Sequence, residues 1–232
     1  DRDTARFLFE MQRKFYVETY QFLRSLGFKG LITASNWITA NPELFGPLEK
    51  WSYGAGDFMD RHGYFAVMHE GEQSSWRIQD GHRFADRSAL RFDARAPGGP
   101  KQFTNPVMEP SYEGKPSMIS ETTWNRPNRF RSEAPLYYAA YGALQDIDAV
   151  VHFALDGDRW WSVNAGGWVQ PQTLMTPSLA GQFPAAALIF RLGLLKPGTV
   201  LARLNLNKQD RLDLKGTRSP AIDPLIHLAG RM

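Results

Sequence analysis

Apolar residues recur at helical spacing in three stretches of this chain, and short apolar runs that turn polar at their C-terminal ends lie between them. From residue 4 to 26, Leu8, Met11, Phe15, Phe22 and Leu26 follow steps of three, four and seven, broken only at Thr19. This predicts an amphipathic helix that turns that stripe toward a core, with Asp3 or Thr4 as its cap and Gly27 at its end. The run Lys29–Trp37 predicts a first strand, and Asp57–Phe65 a second. Between them, Pro42, Gly46, Pro47, Gly54 and Gly56 predict a loop over 38–56. Residues 66–115 lack helical periodicity and read as a long excursion with room for a hairpin. Pro116–Glu121 predicts a third strand, Ser132 to about Gln145 a helix, Asp148–Leu155 a fourth strand, and Ser178 to about Leu192 a last helix ending at Gly193.

Strands alternating with helices imply a parallel sheet with helices outside it, an α/β class. Four strands do not close a barrel, which needs eight in about 250 residues. The chain is therefore either a small open α/β domain or about half of a barrel. The strand ends favour the half barrel: Asn36, His62, Tyr64, Glu121 and Asp156 all lie at or just past C-terminal ends, the face on which barrel enzymes carry their chemistry. No glycine-rich phosphate loop follows any strand, which argues against nucleotide binding. Residues 1–193 form this unit. Residues 194–232 read as a tail or the start of an appended β-domain, with Val200–Leu206 as its candidate strand.

Composition narrows the picture further. With 232 residues, 43% hydrophobic and 22% charged, the chain is long enough for one sizeable core. Its net charge of +3 is spread without a Lys/Arg run, so no nucleic-acid face is expected. The absence of cysteine excludes disulfides, thiolate metal sites and a Cys nucleophile. No run reaches the ~18 apolar residues of a membrane span, and no membrane partner is expected. The first residues, Asp1 to Thr4, hold no apolar signal segment, and the chain reads as truncated there.

Candidate chemistry gathers at the strand ends. Glu121 ends a buried strand, where a carboxylate is costly unless paired; Arg126, Arg129 or Arg131 would satisfy it, or it is an ionised nucleophile held by a neutral donor. Glycosidic cleavage needs two carboxylates, one protonated donor and one anion. His62 and Tyr64 are two apart on a strand and share a face, and Asp60 has their parity while Asp57 does not. Each also fits a packing or strand-supporting role. Asn36 suits contact with sugar hydroxyls and Trp37 suits stacking, though a turn residue followed by a core aromatic fits equally. Trp160, Trp161 and Trp168 lie in a glycine-rich loop after the fourth strand. His152, inside an apolar strand, reads as a satisfied core histidine. His69, His82 and His227 have no metal spacing, and no cofactor is expected.

In their order and spacing these segments resemble the second half of a clan A glycoside hydrolase, the superfamily of family 5 cellulases and family 42 β-galactosidases. Ala5–Trp37 resembles helix four and strand five, and Asp57–Phe65, with His62-Gly63-Tyr64, resembles strand six. Lys115–Glu121 resembles strand seven, which ends in the nucleophile, and Val150–Asp156 resembles strand eight. The resemblance implies the C-terminal half of a (β/α)₈ TIM barrel, about strands five to eight, incomplete in this chain. It implies a retaining glycosidase acting on β-linked oligo- or polysaccharide, secreted or periplasmic. Glu121 would attack the anomeric carbon with Tyr64 and His62 in support, and Asn36, Trp37, Trp124, Trp160 and Trp161 would bind the sugar. The clan's acid/base Glu follows an Asn at strand four. No Asn-Glu pair occurs here, so that group belongs to a missing N-terminal half. Glu10, Glu43 and Glu133 do not stand in for it. The competing readings are a carbohydrate-binding or degenerate barrel without turnover, and an open α/β module that binds a protein.

Overall fold

The computed structural model describes residues 2–37, 41–65, 69–70, 77–84, 86, 88–90, 106–109, 111–155, 170–214 and 224–231. Helix α1 (Arg2–Ser25) ends as the glycine foretold: Gly27 takes a φ of 84°, and the Phe28 and Gly27 amides bond the carbonyls of Leu23 and Arg24. Its apolar stripe, however, does not face a core. Leu8, Met11 and Phe22 are exposed, Phe15 is 62% exposed and Leu26 68%. The helix docks instead through Ala5 and Phe9, with Tyr16 and Tyr20 following on the same side.

The partner on that side is helix α2 (Pro42–Tyr53), which lies where a loop is expected. Pro47 sits inside it, but the apolar contacts outweigh the local breakers: Leu48 and Tyr53 are buried, Phe9 stacks on Trp51 at 4.4 Å and Tyr16 meets Tyr53 edge-on. The segment 30–36, expected to be a strand, has no regular ladder. It runs beside the next strand through isolated bonds, Asp57 N to Ile32 O at 2.7 Å, Thr33 Oγ1 to Phe58 O, and His62 N to Asn36 O at 3.4 Å. Asp57 takes the place of ladder partners here. Its carboxylate accepts from Ile32 N, Tyr20 and Arg24, pinning α1 to the segment. Although desolvation opposes ionisation of Asp57, these donors and the Arg24 charge hold its pKa below the usual range. Gly56 is required at the crossing, since a Cβ there would lie 2.7 Å from Ile32 O.

Strand β1 (Met59–Phe65) follows, then a short antiparallel pair, β2 (His69–Glu70) and β3 (Arg83–Phe84), which is the hairpin of the long excursion. A 3₁₀ turn, Pro106–Met108, leads toward β4 (Ser117–Trp124). Another 3₁₀ turn, Arg131–Glu133, runs into α3 (Ala134–Leu144), and β5 (Ala149–His152) succeeds it. The sheet is parallel with order β1-β4-β5. The last predicted helix is broken into α4 (Pro177–Ala180) and α5 (Phe183–Arg191) around Gly181 and Gln182, with Pro184 in the first turn of α5. The class is therefore mixed α/β, a small parallel sheet with helices packed against it.

The main core joins Phe65, Ile119 and Trp124 of the sheet to Ala134, Tyr137 and Tyr138 of α3, with Val107, Leu174 and Leu179. No regular strand spans Val200–Leu206; Val200 makes a single parallel bridge with Arg231. The C-terminal residues, including α6 (Lys208–Leu212) and the 3₁₀ turn Pro224–Leu228, dock on the rest. Gln145 donates to the carbonyls of His227 and Gly230, and buried His227 bonds the Tyr137 hydroxyl at 2.9 Å. Arg211 lies over Trp51. No described helix is long and apolar enough to cross a membrane.

Candidate functional site

Glu121 stands directly opposite His62 across the β1–β4 ladder, near the middle of both strands; β4 does not end at Glu121 as expected but runs three residues further, to Trp124. The Tyr64 hydroxyl donates to Glu121 Oε1. The His62 ring lies 6.4 Å from that of Tyr64 and meets Trp37 edge-on at 4.8 Å. The Phe153 ring, just past β5, closes the other side at 6.2 Å from Tyr64. Among the described residues the three arginines do not reach Glu121: Arg126 donates to Gln170 O, Arg129 pairs with Asp86, and Arg131 donates to Asn128 O. The carboxylate is therefore held by a neutral donor.

That Glu121 faces this side at all follows from an irregularity in β4. In an unbroken strand Ile119 and Glu121 would share a face and Trp124 would lie on the other. Yet Ile119 and Trp124 are buried together in the helix-side core. The register explains it. Arg61 pairs with Ile119 but His62 with Glu121, so Ser120 is an extra residue, and β5 shows the same shift between Ile119 and Thr122. This is a β-bulge. Ile119, Thr122 and Trp124 stay on the outer face, and Glu121 turns to the inner face beside Tyr64. On the outer side Thr122 Oγ1 donates to Gly63 O at 2.7 Å and is bonded to the Tyr138 hydroxyl.

Asn36 joins the cluster indirectly, its Nδ2 donating to Ser120 Oγ at 3.0 Å. Trp37 is 61% exposed, its ring free beside His62, while its carbonyl accepts from Tyr53 and Arg61. His62 Nδ1 is buried with no hydrogen-bond partner among the described residues. Trp124 is not a sugar platform. It is 0% exposed, packed between Phe65 and Tyr137, because the bulge sends it to the outer face. Trp160, Trp161, Trp168 and Asp156 lie outside the described residues. His152 is half-buried between Tyr138 and Phe183; its buried Nδ1 has no partner among the described residues, and desolvation depresses its pKa to about 4, so it is a neutral group rather than a satisfied one.

The sequence offers only weak signals for the residues it misses: Ser120, whose position as an extra residue has no marker, and Phe153, which reads as strand apolar content. On the N-terminal halves of β1 and β4 a cavity of about 40 Å³ is lined by Lys50, Arg61, Glu109, Met118 and Gln145. It has room for one or two waters and not for a sugar ring. Glu109 fixes its rim: desolvation opposes its ionisation, but Lys50 at 3.0 Å and Arg61 at 2.9 Å outweigh that and hold its pKa at about 2. Among the described residues no group of His, Asp and Glu is arranged to hold a metal ion. The chain matches no protein-family model, no curated protein and no solved structure. The side chains themselves carry the functional case.

Proposed function

We propose that this chain is the C-terminal half of a (β/α)₈-barrel retaining glycosidase acting on β-linked sugars, with Glu121 as its nucleophile. The observation that carries this reading is the Tyr64–Glu121 hydrogen bond on one face of two adjacent parallel strands, in their C-terminal halves. A carboxylate so held is oriented without being neutralised by a cation, which suits attack on an anomeric carbon. Its oxygen forms a bond to that carbon as the bond to the leaving oxygen breaks, and a general acid supplies the leaving oxygen's proton. Water then cleaves the glycosyl ester. Within the site, the exposed Trp37 face suits stacking on a sugar ring.

The general acid would come from a preceding strand–helix half, and two surfaces support such a partner. One is the apolar stripe of α1 beside the irregular 30–36 edge; the other is exposed Leu188, Leu192 and Leu194 near the β5 edge. Strand edges and apolar helix faces of this kind are ordinarily covered. The test uses glycosyl fluorides with a second fluorine on the neighbouring carbon, in gluco, galacto, manno and xylo forms. Their leaving group needs no acid, and their glycosyl esters hydrolyse slowly. Intact mass and peptide mapping should find one fluorosugar on Glu121, absent in Glu121→Gln. Failure of every reagent to label Glu121 would remove it from the nucleophile's role.

A further inference from the structure

The bulge that turns Glu121 inward needs something to hold it, because a bulged residue loses its ladder partners. Ser120 is that residue, and its amide donates to Asp60 Oδ1 at 3.0 Å. On its other side Ser120 Oγ accepts from Asn36 Nδ2. Ser120 is thus held from two sides, its hydroxyl by the Asn36 amide and its own amide by the Asp60 carboxylate. It ties the 30–36 segment, β1 and β4 together one residue before Glu121. Asp60 is 4% exposed. Burying a carboxylate there costs stability, and desolvation raises its pKa despite the bond from the Ser120 amide and the nearby His62. A position that only needed filling would be better served by an apolar side chain. Asp60 instead supplies an acceptor at the point where the ladder lacks one.

We infer that Asp60, through Ser120, is the positioning residue that fixes the bulge and aims Glu121 at Tyr64. This rests on the glycosidase reading only for its catalytic consequence; the aiming itself is tested without a sugar. Asp60→Asn keeps an acceptor oxygen at the same reach, and Asp60→Leu keeps the volume and removes it. In each background of the whole chain, a double-mutant cycle of Tyr64→Phe and Glu121→Gln is measured by urea unfolding.

The coupling between Tyr64 and Glu121, expressed as a ratio of unfolding constants, should be about tenfold or more with Asp60, because the bond is charge-assisted. It should be retained in Asp60→Asn and fall to about unity in Asp60→Leu. Coupling that persists in Asp60→Leu overturns the proposal. Should Asp60→Leu not fold, Asp60→Ser, one bond too short to reach the Ser120 amide, replaces it with the same expectation and the same overturning result. In the unsubstituted chain the Ser120 amide must also be protected from hydrogen exchange, and free exchange there overturns the proposal by itself. Fluorosugar labelling of Glu121 adds the catalytic arm. Asp60→Leu should label at least tenfold more slowly than Asp60→Asn, and equal rates would deny the consequence for chemistry. Absence of labelling in every background, with the coupling behaving as stated, would sink the glycosidase and leave the positioning role standing.

Discussion

Helices α1 and α3 meet their surroundings in opposite ways. Ala134, Pro135, Tyr137, Tyr138, Ala139 and Gly142 of α3 are buried, around several sides of the helix. The sheet, α5 and the C-terminal turn cover most of it, leaving Leu136 exposed, and a helix so covered can be apolar on several sides. In α1 only Ala5 and Phe9 are buried, and its most regular apolar stripe faces solvent. The α3 side has its packing partners within this chain. The α1 side has a periodic apolar face that α2 leaves uncovered. Periodicity therefore reports that a face is designed to be covered, without saying by which segment.

Cutting into the complete side gives the largest expected effect. Trp124→Ala removes a fully buried indole wedged between Phe65 and Tyr137, and should lower stability by about 4 kcal/mol, read from the urea midpoint. If Trp124 were instead a sugar platform, the same change would weaken sugar binding and hardly move the midpoint.

The second effect is electrostatic and belongs to the same core. Unfolded chains protonate His152 near pH 6.5, whereas desolvation holds the folded group's pKa at about 4. The unfolded state binds more protons through that window, so the contribution of His152 is complete above about pH 6.5 and declines as pH falls toward 4. Between pH 7 and pH 5 the loss should be about 2 kcal/mol, and His152→Gln should remove that part of the pH dependence. An unchanged slope in the variant would show that His152 protonates as readily folded as unfolded.

The sequence shows the parallel α/β alternation because buried parallel strands and their helices carry strong local patterns, as in Met59–Phe65 and Ala134–Leu144. The two-residue spacing of His62 and Tyr64 places them on one face, but Glu121 joins them only through the bulge in β4. Three features lay beyond what the sequence shows. Helix α2 is punctuated by Gly46 and Pro47 and forms because its Trp51 and Tyr53 pack on Phe9 and Tyr16 of α1, a tertiary effect. The segment 30–36 has strand composition, yet it makes only isolated backbone bonds to the next strand, and the Asp57 carboxylate takes the Ile32 amide. The bulge at Ser120 reverses strand parity, which sends Trp124 into the core although its place in a polar stretch reads as a binding aromatic. Nothing in Met118-Ile119-Ser120-Glu121 announces an extra residue, because the acceptor that supports it, Asp60, is sixty positions away.

The smallest effect on stability is expected on the open side, and it sharpens the contrast most. Leu8 and Phe15 are both well exposed, so replacing them with Gln, a comparable helix former, removes little packing. The double variant should change the urea midpoint by no more than the equivalent of about 0.5 kcal/mol. If that stripe is the seat of a covering half, it is also the surface through which isolated copies would associate. Sedimentation at rising concentration should then show self-association of the unsubstituted chain and its loss in the variant. A large fall in stability would mean that Leu8 and Phe15 pack within this chain, and α1 would then resemble α3 rather than oppose it. Preserved self-association would place the sticky surface elsewhere, with Leu188 and Leu192 of the opposite flank the next pair to substitute.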